Sequence, residues 1–222
     1  MSSESALRHR HGAGFELIET MRWEPQAGFL RGERHLARLK ASAEALGFAC
    51  DRSRVEETLQ RAVGGDTALR VRLVLSQGGN ADVTTQPFAP LAPDAVWTVR
   101  IAQTRLDSSN PLLCHKTTRR DAYDRARAEF SREEADEVIL LNEAKNACEG
   151  TITNIFIDPG DGGPLKTPTL ACGLLAGVLR AEMLERGEAV ETTLSLDDLR
   201  GASKLWLGNS LRGLIAAKLT QG

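Results

Sequence analysis

The sequence predicts an α+β chain organised in two parts. Three observations carry this expectation: an amphipathic helical repeat near the start, apolar runs at strand spacing in both halves, and a turn-rich break, "DSSNPLL", between them. At 222 residues the chain is long enough for one large domain or two small ones, and 41% hydrophobic with 26% charged residues is ordinary for a globular protein. The formal net charge of −2 argues against a nucleic-acid or anionic-membrane surface, because the basic residues are interleaved with acids. No apolar run approaches the length needed to span a bilayer, and "MSSESALRHRHG" lacks a signal-peptide core. The cysteines at 50, 114, 148 and 172 are widely spaced, and the four histidines show no metal-site spacing. The expectation is a cytoplasmic protein with reduced thiols and no metal, nucleic-acid or membrane partner.

Residues 1–12 are expected to be a disordered tail. "FELIETMRW" (15–23) reads as a strand, with a turn at 25–28. "RGERHLARLKASAEALGF" places Leu36, Leu39, Ala43 and Leu46 at steps of three and four, an amphipathic helix ending at Gly47. Ser53-x-x-Glu56 reads as a capping box opening a second helix, with Val55, Leu59 and Val63 on its apolar face. "ALRVRLVLS" alternates Leu69, Val71, Leu73 and Leu75 against Arg70 and Arg72, a half-buried strand. "VWTVRIA" is a further strand after the proline-rich "PFAPLAP". The boundary is expected at 107–113, giving a small α/β subdomain over 1–106 and a larger one over 114–222.

Beyond it, "TTRRDAYDRARAEF" reads as a helix with Tyr123, Ala126 and Phe130 on one side. "EVILLN" is a buried strand, and "TITNIFID" is expected to form a hairpin with it across the "EAKNA" turn. "GLLAGVLRAEMLERG" is a helix closing at Gly187, and Ser195-x-x-Asp198 caps a short one with Leu194 and Leu199 as a staple. "SKLWLGNS" is a strand running into a polar tip.

Several residues could carry chemistry. The chain has only six lysines, and Lys116 in "LLCHKTTRR" is the one flanked by an apolar run and hydroxyls. Its amine is either a nucleophile, with a pKa lowered by cationic neighbours such as His115, Arg119 and Arg120, or an idle solvated group at a helix start. Glu149 stands where a turn gives way to a β-rich strand. It is either a solvated strand-edge carboxylate or one held against a cationic ring nitrogen. "CGLLAGVLRAEM" enters a helix through Gly177, where free backbone N–H groups favour an anion and small residues allow close approach. Arg38 could grip a phosphate if turned inward, or stay at the surface beside Arg34. "GNSLRG" (208–213) is one residue off the G-x-S-x-G elbow, which leaves a Ser210 hydrolase conceivable, although no Asp and then His follows it.

The order of "FELIETMRW", "ERHLARLKASAEALGF", "HKTT", "ADEVILLN…CEGTITNIF", "LACGLLAGVLRAEML" and "LGNSLRGL" resembles the fold-type IV pyridoxal-phosphate enzymes, the class IV aminotransferase family. These include branched-chain and D-amino-acid aminotransferases and 4-amino-4-deoxychorismate lyase, and "HKTTRRDAYD" and "LGNSLRGL" look most like the lyase group. The resemblance implies a small α/β subdomain, a larger pseudo-barrel subdomain, a small-molecule amino substrate and a homodimer. It implies pyridoxal 5'-phosphate held as a Schiff base on Lys116, with Glu149 on the pyridine nitrogen and Arg38 on the phosphate. Gly177, Val178 and Leu179, with Asn209 and Ser210, would complete the phosphate cradle or reach the substrate carboxylate. Thr153 and Asn154 would lie near the cofactor. The sequence departs from the family where it is short ahead of the "FE" segment. It departs again at Asp121, where the aminotransferases often carry a tyrosine five residues after the lysine; Tyr123 follows two residues later. A non-catalytic member of the fold is the remaining alternative.

Overall fold

A computed structural model describes residues 14–220, so the expected tail at 1–12 lies outside the described residues. The chain forms two compact units, one comprising the residues up to Ala89 with His115–Arg119, the other Pro90–Cys114 with the chain from Arg120 onward.

The first unit contains β1 (Leu17–Glu24), β2 (Gly28–Phe29), α1 (Gly32–Leu46), α2 (Arg52–Ala62), β3 (Leu69–Leu75) and β4 (Ala81–Pro87). The strands make an antiparallel sheet in the order β2-β1-β3-β4. Helix α1 buries Leu36, Leu39, Ala43 and Leu46, the expected stripe, and stops at Gly47 in the left-handed conformation. The cap of α2 differs from the expectation: Asp51 accepts the Arg54 N–H at 3.2 Å, and Ser53 lies inside the helix. The helix starts two residues earlier than expected, so an aspartate serves the orphan donor of its own first turn and the Ser53 position falls inside the helix. β4 was not legible because it is an edge strand whose side chains are mostly exposed; backbone pairing with β3 holds it, without an apolar face.

The second unit contains β5 (Val96–Leu106), α3 (Asp121–Ala128), β6 (Glu137–Asn142), β7 (Ala147–Gly150), β8 (Asn154–Asp158), β9 (Leu165–Pro168), α4 (Val178–Glu185), β10 (Ala189–Thr192), α5 (Leu196–Gly201), β11 (Lys204–Asn209) and β12 (Gly213–Leu219). Its eight-stranded mixed sheet runs β10-β9-β8-β11-β12-β5-β6-β7, and β7 pairs again with β8. Six strands therefore close a ring, with β9 and β10 extending from β8. β6 is buried along its whole length because the sheet is covered on both faces. Ile139 and Leu141 pack with Ile155, Ile157 and Leu207 on one side, while Val138 and Leu140 pack with Ala102, Leu106 and Ala126 of α3 on the other.

Three further expectations are corrected. β5 hydrogen-bonds to β6 and β12, so it belongs to the second unit and the chain changes unit near Pro90, ahead of the expected 107–113 boundary. The hairpin partner of β6 is β7; β8 lies between β7 and β11. Helix α3 begins at Asp121 because the preceding "KTT" is drawn out as an extended segment along β1. Among the described residues no helix is long and apolar enough to cross a membrane, and no group of side chains could hold a metal ion.

Candidate active site

In the first unit, Lys116 is held by its backbone. The Ile18 N–H donates to the Lys116 carbonyl at 2.9 Å, the Thr118 N–H donates to the Glu16 carbonyl at 2.9 Å, and Thr117 pairs opposite Leu17. The Glu16 N–H also donates to the Thr118 hydroxyl at 2.9 Å. A lysine in a paired, partly buried extended segment is not a freely solvated residue at a helix start. The cationic neighbours are less simple than expected. His115 Nδ1 meets the Ser42 hydroxyl at 3.0 Å, and burial pushes its pKa down, so it is neutral at neutral pH. Arg119 lies over the Phe15 ring, and Arg120 belongs to the second unit.

Arg38 is turned inward, onto Glu19. Its Nε donates to Glu19 Oε1 at 2.8 Å and Nη2 to Oε2 at 2.5 Å, a two-point fork. Glu19 is 1% exposed and also meets His35 Nδ1 at 2.6 Å. Burial alone would raise the Glu19 pKa; the Arg38 charge, with hydrogen bonds from His35 and Arg38, overrides it and holds the carboxyl at about 2. The sequence reading missed Glu19 and His35. Their signal was present: Glu19 shares the buried parity of Leu17, Met21 and Trp23 on β1, and His35 stands one helical turn before Arg38.

In the second unit, Glu149 lies on β7, one residue before its end, and is 4% exposed. Its Oε1 accepts from the Tyr123 hydroxyl at 2.6 Å and from the Leu175 N–H at 3.1 Å; Oε2 has a long 3.5 Å contact from Asn154 Nδ2. Asn154 Nδ2 also donates to the Leu175 carbonyl at 3.0 Å, tying β8 to the loop that enters α4. Gly177, the N-cap of α4, packs so tightly on Asn154 that a Cβ there would stand 1.8 Å from Oδ1. No side chain caps α4, so its first N–H groups, at Val178 and Leu179, remain open to an anion. The Val178 and Leu179 side chains themselves are buried.

The turn after Glu149 is organised by a carboxylate that the sequence reading did not single out. Glu137 is 1% exposed and accepts from the N–H groups of Val138, Thr151 and Ile152 and from the hydroxyls of Thr151 and Thr153, at 2.6 to 3.2 Å. Thr153 is thus part of this frame. Gly150 is required there, since a Cβ would stand 2.3 Å from the Thr153 hydroxyl. On the outer side, Asn209 Nδ2 donates to the Ile152 carbonyl at 3.2 Å and Arg120 donates to the Thr151 carbonyl. Ser210 is buried in the turn between antiparallel β11 and β12, a strand–turn–strand setting without the helix that a nucleophile elbow needs.

The second unit therefore gathers Glu149, Thr153, Asn154 and Gly177, with Asn209 linked through Ile152; the first unit holds Arg38 and Lys116. The donor set fits pyridoxal phosphate. In the second unit, a buried, hydrogen-bonded carboxylate suits a cationic ring nitrogen and a helix start pressed close by Gly177 suits a phosphate; in the first unit, an inward guanidinium suits an anion.

Residues 16–219 match the model of the family described as amino-transferase class IV. A Schizosaccharomyces pombe protein that carries the provisional name aminodeoxychorismate lyase is 32% identical over 186 residues, covering 80% of this chain and 79% of that protein. A crystal structure from Mesorhizobium loti, provisionally described as an amino-acid aminotransferase, has a TM-score of 0.91 at 58% identity, covering 93% of this chain and 100% of that one. The 4-amino-4-deoxychorismate lyase of Pseudomonas aeruginosa has a TM-score of 0.76 at 25% identity, covering 92% and 82%.

Proposed function

The chain belongs to the class IV aminotransferase family and is a pyridoxal-phosphate-dependent enzyme, and from that premise we propose that it is a lyase converting 4-amino-4-deoxychorismate to p-aminobenzoate and pyruvate. The observation that carries the site reading is Glu149, a buried carboxylate whose Oε1 is fixed by Tyr123 and Leu175. The choice of a lyase is supported by the likeness to the Schizosaccharomyces protein over most of both chains.

The cofactor, when bound, supplies an electron sink for the pair left as a C–H bond breaks beside the substrate amine. The protein's residues do the rest. Lys116 contributes the amine that carries the cofactor and, once displaced by the substrate amine, takes the proton from the carbon bearing that amine. Glu149, as an anion, would hold a proton on the pyridine nitrogen of the cofactor. In the first unit, Arg38, fixed by Glu19, would grip a phosphate; in the second, the N–H groups at Val178 and Leu179, with Asn209 and Ser210 at the β11–β12 turn, would favour the same kind of anion. Loss of pyruvate then aromatises the ring, a strong driving force that the protein has only to direct.

A second reading, a transaminase acting on branched-chain or D-amino acids, is favoured by the likeness to the Mesorhizobium chain. There Lys116 would again carry the proton, and a keto acid would be needed to take up the amino group. Incubation of the holoenzyme with aminodeoxychorismate and no keto acid separates the two. Pyruvate and p-aminobenzoate released in equal amounts support the lyase; turnover that strictly requires a keto acid overturns it in favour of the transaminase. The same reading makes the enzyme a cytoplasmic homodimer. The four free cysteines support a reducing compartment, and the dimer follows the habit of the family.

A further inference from the structure

The chain has a single tyrosine. Tyr123 is seven residues beyond Lys116, out of step with the family's usual tyrosine, and its hydroxyl is committed to Glu149 at 2.6 Å. The phenol is held firmly. Arg120, the N-cap residue of α3, lays its guanidinium 4.8 Å from the centre of the Tyr123 ring and donates to the Thr151 carbonyl, in the turn that follows Glu149. The ring also packs on the core beneath α3, formed by Ala126, Val138, Leu140 and Cys148. Helix, turn and carboxylate are thereby locked to one another within the second unit.

We propose that Tyr123 is a positioning residue that keeps Glu149 ionised and so keeps the ring nitrogen of the cofactor protonated; this rests on the reading of Glu149 as the partner of that nitrogen. A donor on a carboxylate favours its charged form. When a carboxylate and a ring nitrogen share one proton, the proton stays with the more basic partner. The Tyr123 hydroxyl makes Glu149 the less basic of the two, which places the proton on nitrogen and sustains the electron sink. Without that hydroxyl, the proton moves toward Glu149 and the sink weakens.

The neighbouring ionisable groups are consistent with this direction. Burial first, then the Glu149 charge and the hydrogen bond, hold the Tyr123 hydroxyl well above its usual range, against the opposing pull of Arg120, so it remains a donor at working pH. Burial first, and then the Glu149 charge, push up the thiols of Cys148 and Cys114, so neither adds a competing negative charge near neutral pH.

The single tyrosine makes the test site-specific. In cofactor-free protein, tyrosinate absorbance reports Tyr123 alone, and Glu149→Gln is expected to lower its apparent pKa by about one unit or more. An unchanged titration overturns the coupling. In the holoenzyme, NMR of a cofactor labelled at the ring nitrogen is expected to show a protonated nitrogen in wild type and a shift toward the neutral form in Tyr123→Phe. The kcat should fall about tenfold with a smaller change in KM. A nitrogen equally protonated in wild type and Tyr123→Phe overturns the role of Tyr123 while leaving the Glu149 reading intact. A neutral nitrogen in wild type overturns both. Should Tyr123→Phe fail to fold, the cofactor-free titration of Glu149→Gln decides.

Discussion

Arg38 and Glu19 form a two-point fork inside the first unit, Nε to Oε1 at 2.8 Å and Nη2 to Oε2 at 2.5 Å, with His35 completing the set on Oε2. Because Glu19 is 1% exposed, removing Arg38 leaves a carboxylate buried without its forked partner, and removing the Glu19 charge takes that fork from Arg38. Glu19→Gln is expected to cost about 3 kcal/mol of stability, read as a lowered urea midpoint with an unchanged slope.

The same pair sets an acid limit. The folded-state pKa of Glu19 lies below its unfolded value, at about 2, so its contribution is fully present above the unfolded pKa and is lost as pH falls toward 2. The unfolding free energy of the wild type, measured in urea, should fall from about pH 5 downward, with a Glu19 share on the order of 3 kcal/mol. Glu19→Gln should lack that part of the slope; an identical acid profile in the variant would contradict the assignment.

Arg38→Lys keeps the charge and loses the fork. If Arg38 holds both Glu19 and the cofactor phosphate, the lysine cannot serve the two together. The dissociation constant for pyridoxal phosphate, measured by fluorescence, should rise about tenfold or more. A variant that binds the cofactor as wild type does would remove Arg38 from the phosphate site.

Glu137 is the carboxylate on which the 150–153 turn is assembled. Glu137→Gln replaces one acceptor oxygen with a donor, facing N–H and hydroxyl groups that are themselves donors. Amide hydrogen exchange at Thr151 and Ile152 should accelerate, with a stability loss on the order of 2 kcal/mol. Protection unchanged at those two amides would show that the turn is held by something else.

Gly177 has an ordinary φ of −66°, so its requirement is steric. Gly177→Ala should displace Asn154, loosen its hold on the Leu175 carbonyl and weaken cofactor binding, with a stability cost of about 1–3 kcal/mol. Wild-type cofactor affinity in this variant would show that the tight approach at the start of α4 is only packing.

The sequence disclosed the elements whose burial leaves a period. Helix α1 shows its stripe and its glycine stop, β3 alternates cleanly, and β6 reads as a continuous apolar run because both faces are covered. The edge strands β4 and β10 leave no such mark, since backbone pairing holds them while most of their side chains face outward. Lys116 became legible only through its place in an ordered series of motifs. Glu19 and Glu137 were hidden for a different reason. A glutamate in a strand reads as solvent-facing, and what reverses that reading is partners 16 or more residues away on β1's covering helix, or 14 to 16 away in the 150–153 turn.

The Schiff-base role of Lys116 is open to a direct test: borohydride treatment of the holoenzyme, followed by peptide mass mapping. The cofactor absorbance is expected to bleach and a reduced pyridoxyl adduct to appear on Lys116 alone, and to be absent in Lys116→Ala. A protein that takes up no cofactor, or an adduct on another lysine with Lys116 unmodified, would contradict that role.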